Sequence, residues 1–208
     1  MARIFFTSRA IGDMKTPAAR QSLQDSLSIK SLVFMEQTHS DVVQVVENPM
    51  VEPLADALVT STPGLAIAVL VADCIPLLLS SDDLVAAVHV GRKGVLNKIA
   101  LKTVEKMKQM GAMKISGVIG PSICGTCYEV SPEMYEQVTQ VVPSSATSKA
   151  LHALDLKAAL MDQLASQSVA VKDLALCTLC SLNETGKSDY FSYRGGDEFA
   201  RGAGVICL

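Results

Sequence analysis

The sequence predicts an α+β protein with mixed β-sheets and flanking helices, folded as a single domain over residues 1–208. Two observations carry this. The chain alternates strand-like apolar runs with helix-like stretches, strands dominating the first half. Its 49% hydrophobic and 19% charged content is enough apolar material to bury a sizeable core.

"RIFFTSR" reads as a first strand. "TPAARQSLQDSL" reads as a helix, with Thr16 as N-cap and Pro17 at the first helical position. "SLVFMEQTHSDVVQVV" reads as two strands around a polar corner, "EQTHSD". "ADALVTSTPGLAIAVLVADC" continues with strands about a Thr-Pro-Gly turn. "NKIALKTVEKMKQMGA" has helical spacing and stops at Gly111. "ISGVIGPSIC" reads as strand then loop, and "SPEMYEQVTQVV" as a helix capped by Ser131. "VPSSATSK" is the one stretch that reads as a flexible connection. "DLKAALMDQLASQ" reads as a further helix, preceded by His152, and "VKDLALCT" and "AGVICL" as late strands.

Composition excludes several classes. A net charge of −3 offers no surface for nucleic acid or anionic lipid. No apolar run approaches the roughly 20 residues of a membrane span. No basic run followed by an apolar stretch opens the chain, so a signal peptide is not expected and a cytoplasmic location is. In that reducing compartment the six cysteines are expected as thiols, ligands or nucleophiles.

Histidine is scarce: His39, His89 and His152 only. Within "VADCIPLLLSSDDLVAAVHVG" Cys74 and His89 interrupt two apolar strands joined by "SSDD". A hairpin centred between Ser81 and Asp82 places Cys74 directly opposite His89, with Cβ atoms about 4.5–5.5 Å apart. Pro76 strains that register. Such a pair can share a metal ion, or act as a Cys–His nucleophile pair. His39, at the polar corner, is the natural third partner. Three protein ligands leave the fourth tetrahedral position to water or substrate, the pattern of a catalytic zinc. On spacing alone, a buried thiol and a satisfied core histidine explain the same residues.

The segments "EQTHSDVV", "ADALVT", "VADCIPLLL", "AAVHVGRKG", "GPSICGTCYEV", "DLKAAL", "CTLC" and "YFSYRGGDEFARGAGVICL" occur in this order. Together they resemble the laccase-domain family, also called multicopper polyphenol oxidases and regarded as zinc-dependent purine nucleoside phosphorylases with adenosine deaminase activity. The resemblance runs from about residue 30 to the C-terminus. It implies that His39, Cys74 and His89 are both catalytic and metal-ligating. It also implies zinc, with copper as the ion of the older name, and a possible homodimer. The substrates implied are purine nucleosides, methylthioadenosine among the candidates, together with phosphate. The chain departs from the family pattern at Arg92 and Lys93, where a tryptophan is usual, and at Gly195 and Ala200.

Phosphate needs cationic donors. Arg20, Arg194 and the Arg92–Lys93 pair are candidates, Arg194 first. Gln37 shares parity with His39 and is placed either toward the pocket or in a loop hydrogen bond. Asp73 is a candidate to orient a ligand, although a regular strand points it away from Cys74. Cys124–Cys127 and Cys177–Cys180 form two C-x-x-C pairs. They are read as buried thiols near the pocket, with Cys127 a candidate support for the metal ligands and a structural zinc and a redox pair as alternatives. Three other functions compete with the nucleoside reading: a cysteine hydrolase using Cys74 and His89, a copper-dependent oxidase, and a binding domain without catalysis.

Overall fold

The computed structural model describes residues 2–147 and 149–208. Ten strands form two mixed sheets. β1 (Arg3–Phe6), β2 (Ser31–Val33), β5 (Leu65–Val71) and β10 (Gly202–Cys207) make a four-stranded sheet in the order β1-β10-β5-β2. β3 (Val43–Val45), β4 (Ala57–Thr60), β6 (Ile75–Ser80), β7 (Val85–Val90), β8 (Ser116–Ile119) and β9 (Ala170–Asp173) make a six-stranded sheet in the order β3-β4-β7-β6-β8-β9. Parallel pairs (β2 with β5, β3 with β4, β8 with β9) sit beside antiparallel ones. The helices are α1 (Pro17–Leu27), α2 (Arg92–Leu96), α3 (Ile99–Gln109), α4 (Pro132–Val141) and α5 (Leu156–Ala165).

The period-2 alternation of the strands sorts their side chains into three cores. Ile67 and Val69 of β5 meet Leu58, Leu78, Val85 and Ala87 of the other sheet, so the two sheets pack face to face. Ala66 and Ala68 point the other way and pack with Ala19 and Leu23 of α1. Leu77, Leu79, Ala86 and Val88 pack against Val104 and Met107 of α3, Val138 of α4 and Leu160 of α5. The central strands are covered on both faces, which explains their near-continuous apolar sequences. The predicted caps form: Thr16 and Ser131 accept hydrogen bonds from the amides of Ala19 and Met134, and Asp155 caps α5 in the same way through the Ala158 amide.

Four local readings change. "AIAVLVADCIPLLL" is two strands in different sheets, broken at residues 72–74, where Asp73 has φ 86°. The hairpin loop spans Ser81 to Leu84, so Pro76 pairs with His89, and Ile75 with Val90. The register is therefore two residues off the predicted one, and Cys74 lies just beyond the ladder on the parity expected of it. Arg92 and Lys93 open the short helix α2, which has only five residues and was not foreseen. "VPSSATSK" contains a 3-10 turn, Pro143–Ser145, whose Ser145 is fully buried and accepts from the Asp155 amide at 2.8 Å; Ser148 lies outside the described residues. Among the described residues no helix is long and apolar enough to cross a membrane.

The two-sheet design fixes where a site can form. The connections β2→β3 and β5→β6 both carry the chain from one sheet to the other. Val71 pairs with Gly202, and Leu77 with Ile119, so the loops before β10 and after β8 gather at the same end as residues 72–74. Leu78, fully buried between the sheets, is the test of this packing. Leu78→Ala is expected to lose about 2–5 kcal/mol in a urea unfolding titration, with the m-value unchanged.

Candidate active site

At that end the structure brings His39, Cys74 and His89 together. One ligand atom from each lies within 4.8 Å of the others. His39 comes from the exposed corner after β2 and has φ 58°. Cys74 is half-buried at the sheet crossing, and His89 is buried near the end of β7. The Cys74 sulfur is 4.0 Å from His39 Nε2, and the two imidazoles meet edge to face at 4.7 Å between centroids. Gly91 permits this closeness: a Cβ there would stand 3.0 Å from the Cys74 sulfur and 3.2 Å from the His39 ring.

The residue that sequence reading missed is Asp56. It is fully buried, immediately before β4. Its carboxylate accepts from His89 Nδ1 at 2.7 Å, from the amides of Thr38, His39 and Ser40 at 3.2, 3.1 and 2.6 Å, and from the Ser40 hydroxyl at 2.7 Å. Burial alone would raise its pKa; the His89 and Ser40 bonds outweigh it and hold Asp56 well below the usual carboxylate range. An ionised Asp56 fixes the proton on His89 Nδ1 and leaves Nε2 of the neutral ring free as a ligand. A signal was present in the sequence: one carboxylate leading into a wholly apolar strand.

Without a metal ion the three groups polarise one another. Burial opposes charge on the Cys74 thiol, but His89 and His39 overcome it and bring the thiol down to about 6. Burial likewise opposes charge on His89, but Cys74 and Asp56 raise it to about 9. A thiolate and two imidazoles are a donor set suited to a borderline-soft divalent ion. These residues fit one, and all three line a cavity of about 860 Å³.

The same cavity is lined by Arg20, Gln37, Asp73 and Arg194. Their bonds separate them. Arg20 is engaged: it pairs with Glu52, donates from Nε to the Met14 carbonyl at 2.6 Å, and stacks over Phe34 at 4.0 Å. Gln37 spends its amide on both backbone groups of Leu70, each at 2.8 Å. Asp73 is not aimed at the three ligands. Its buried carboxylate accepts from Thr178 Oγ1 and Ser192 Oγ, both at 2.6 Å, and from the Arg194 amide at 2.8 Å. Its left-handed φ turns it from the metal donors toward the C-terminal loop, which it ties to the crossing. Arg194 donates one guanidinium bond, to the Glu129 carbonyl at 2.8 Å, and lies 5.0 Å over the Tyr128 ring. Lys15, Tyr128, Tyr193 and Arg201 also line the cavity and were not singled out; each arrives on a loop with no periodic signal. Arg92 and Lys93 do not line it.

The sulfur of Cys127 groups with Cys124, Cys177 and Cys180 rather than with His89. Of these four only Cys177 is buried, which corrects the reading of them as buried thiols. His152 packs edge-on against Tyr135 at 5.7 Å, outside the three-ligand group.

The Asp56 bonds generate a measurable expectation. Asp56→Asn retains the shape but loses the charge, and divalent-metal affinity measured by competition with a chromogenic chelator is expected to fall about 10–100-fold.

Comparison with known proteins identifies relatives of this chain. The family model described as multi-copper polyphenol oxidoreductase laccase matches residues 9–208. A purine nucleoside phosphorylase of Corynebacterium glutamicum is 37% identical over 236 residues, covering 99% of this chain and 94% of the relative. An adenosine deaminase from an unknown prokaryotic organism is 34% identical over 195 residues, covering 83% of this chain and 73% of the relative. The crystal structure of a Neisseria meningitidis protein superposes with a TM-score of 0.80 at 24% identity, over 100% of this chain and 94% of that one, and shows the shared fold. The chain therefore belongs to the multi-copper polyphenol oxidoreductase laccase family.

Proposed function

We propose that the chain is a zinc-dependent purine nucleoside phosphorylase, converting adenosine or inosine and phosphate to the free base and ribose 1-phosphate. The observation that carries it is the His39–Cys74–His89 set opening onto a cavity of about 860 Å³ with Arg194 on its wall. That volume lies within the roughly 300–1,000 Å³ typical of small-ligand sites. The relatives named as phosphorylases support the same reading.

In phosphorolysis a phosphate oxygen bonds to the ribose anomeric carbon as the bond from that carbon to the purine breaks. The bonding pair leaves on the base, which takes a proton. Positive charge builds on the sugar, so catalysis consists of placing charge and stabilising the departing base. His39, Cys74 and His89 would hold the metal ion, which when bound would supply Lewis acidity for the departing base. Asp56 keeps His89 in one tautomer and orientation. Arg194 is the arginine best suited to phosphate: Arg20 is already paired with Glu52, and one Arg201 nitrogen donates to the carbonyls of Asp197, Glu198 and Ala200. Tyr128 and Tyr193 offer aromatic surface to a base.

Adenosine deamination is the second reading, favoured by the deaminase among the relatives. It would use the same ligands. The cysteine hydrolase reading gains some geometry, because Asp56 bonds His89 and a ring nitrogen of His89 lies within 4.8 Å of the Cys74 sulfur. It needs neither His39 nor a metal. A multicopper oxidase needs several ligand sets, and His152 is not available to one.

Incubation of zinc-loaded protein with adenosine and phosphate, followed by chromatographic identification of products, tests the proposal. Adenine and ribose 1-phosphate are expected only when phosphate is present, and their formation is expected to vanish in His89→Ala and on chelation. Inosine alone would make the protein a deaminase. Adenosine left unchanged would sink both readings, and activity that survives chelation would favour the hydrolase. Arg194→Ala is expected to lower kcat/KM for phosphate roughly 10- to 100-fold, the loss of one charge-assisted interaction, with metal content unchanged.

A further inference from the structure

The geometry points to a second metal site, a zinc ion held by Cys124, Cys127, Cys177 and Cys180, that locks two loops into the wall of the cavity. The four sulfurs all lie within 4.8 Å of one another, and those of Cys124 and Cys180 are 3.7 Å apart. Four sulfurs around one ion, each about 2.3 Å from it, stand about 3.8 Å from one another, so the spacing already matches a tetrathiolate shell. It is too tight to enclose a multi-iron cluster. It is also well beyond the roughly 2.05 Å of a disulfide bond, and all four cysteines are free.

The backbone supports a thiolate shell. Each C-x-x-C pair turns tightly: the Cys127 and Tyr128 amides both donate to the Cys124 carbonyl at 3.1 Å, and the Ser181 amide donates to the Cys177 carbonyl at 3.2 Å. The Cys177 sulfur faces the amides of Cys124, Leu179 and Cys180 at 3.3, 3.4 and 3.5 Å. Amide donors aimed at a sulfur are outer contacts of the kind that hold a ligating atom in orientation. Gly125 lets the first turn press on the chain, since a Cβ there would meet the Asp155 Cβ at 2.7 Å.

The site's place in the fold gives its role. The first pair lies in the loop after β8 and the second in the loop after β9. Tyr128 and Glu129, next to Cys127, contact the Arg194 guanidinium; Thr178, next to Cys177, bonds the Asp73 carboxylate that also receives the Arg194 amide. An ion joining the pairs clamps both supports of Arg194 at once, and does so whatever reaction the cavity carries out.

Full-length protein, purified with zinc and reductant, is the test material. X-ray absorption at the zinc edge of the wild type is expected to give roughly two to three sulfurs per zinc, against one if only the His39–Cys74–His89 site is filled. His39→Ala/Cys74→Ala protein is expected to retain about one zinc per chain with four sulfurs at about 2.3 Å. Cys177→Ser/Cys180→Ser is expected to lose that ion while keeping the other, and to melt at a lower temperature. The proposal is overturned if the wild type shows one sulfur per zinc, if the four thiols stay reactive toward a thiol reagent in zinc-loaded protein, or if the pairs oxidise to disulfides and take up no zinc under reductant. Iron in a four-sulfur shell would overturn the assignment of zinc.

Discussion

The site depends on one buried carboxylate. Asp56 has no exposed surface and accepts five hydrogen bonds, three from consecutive backbone amides of the corner that carries His39 and one from the ring of His89. A buried charge of this kind is tolerable only when fully partnered. The constraint runs both ways: the His39 corner must fold around Asp56, and His89 must present its Nδ1 proton to it. Two ligands, His39 and His89, separated by about a quarter of the sequence thus share one anchor, and the third, Cys74, meets them where the chain leaves one sheet for the other.

The sandwich explains why this happens at its end and not in its interior. In the central strands the backbone groups are taken by ladders on both sides, and the side chains are apolar and closely packed. Where the chain crosses between sheets the ladders stop, and polar side chains must satisfy the backbone instead. Gln37 does this for Leu70, Asp56 for residues 38–40, and Asp73 for Arg194. The cavity is the space between these crossings and the loops before β10 and after β8. Its chemistry therefore comes from short segments whose conformation is set by the hydrogen bonds that hold them.

Much of the fold was legible because its signals are local. Thr16 and Ser131 cap their helices through groups three residues away, and the apolar runs are long enough to be strands in any context. His39, Cys74 and His89 could be grouped because histidine is scarce and because strand parity survives a two-residue error in register. The register itself was misjudged because turn length is set by how Ser81 and Leu84 bond, and the single strand drawn through Cys74 broke because nothing local distinguishes one long strand from two that end in different sheets.

What the sequence by itself determined is the set of elements, the apolar faces they bury and the identity of three possible ligands, all consequences of periodicity and residue chemistry over a few positions. What only the tertiary structure decided is which polar groups meet. Asp56 became the partner of His89, Asp73 turned from the ligands to the C-terminal loop, Arg20 was taken by Glu52, and two distant C-x-x-C turns came face to face. Each of these pairings joins residues far apart in the chain, and their geometry is fixed by packing of the sheets and not by any local preference.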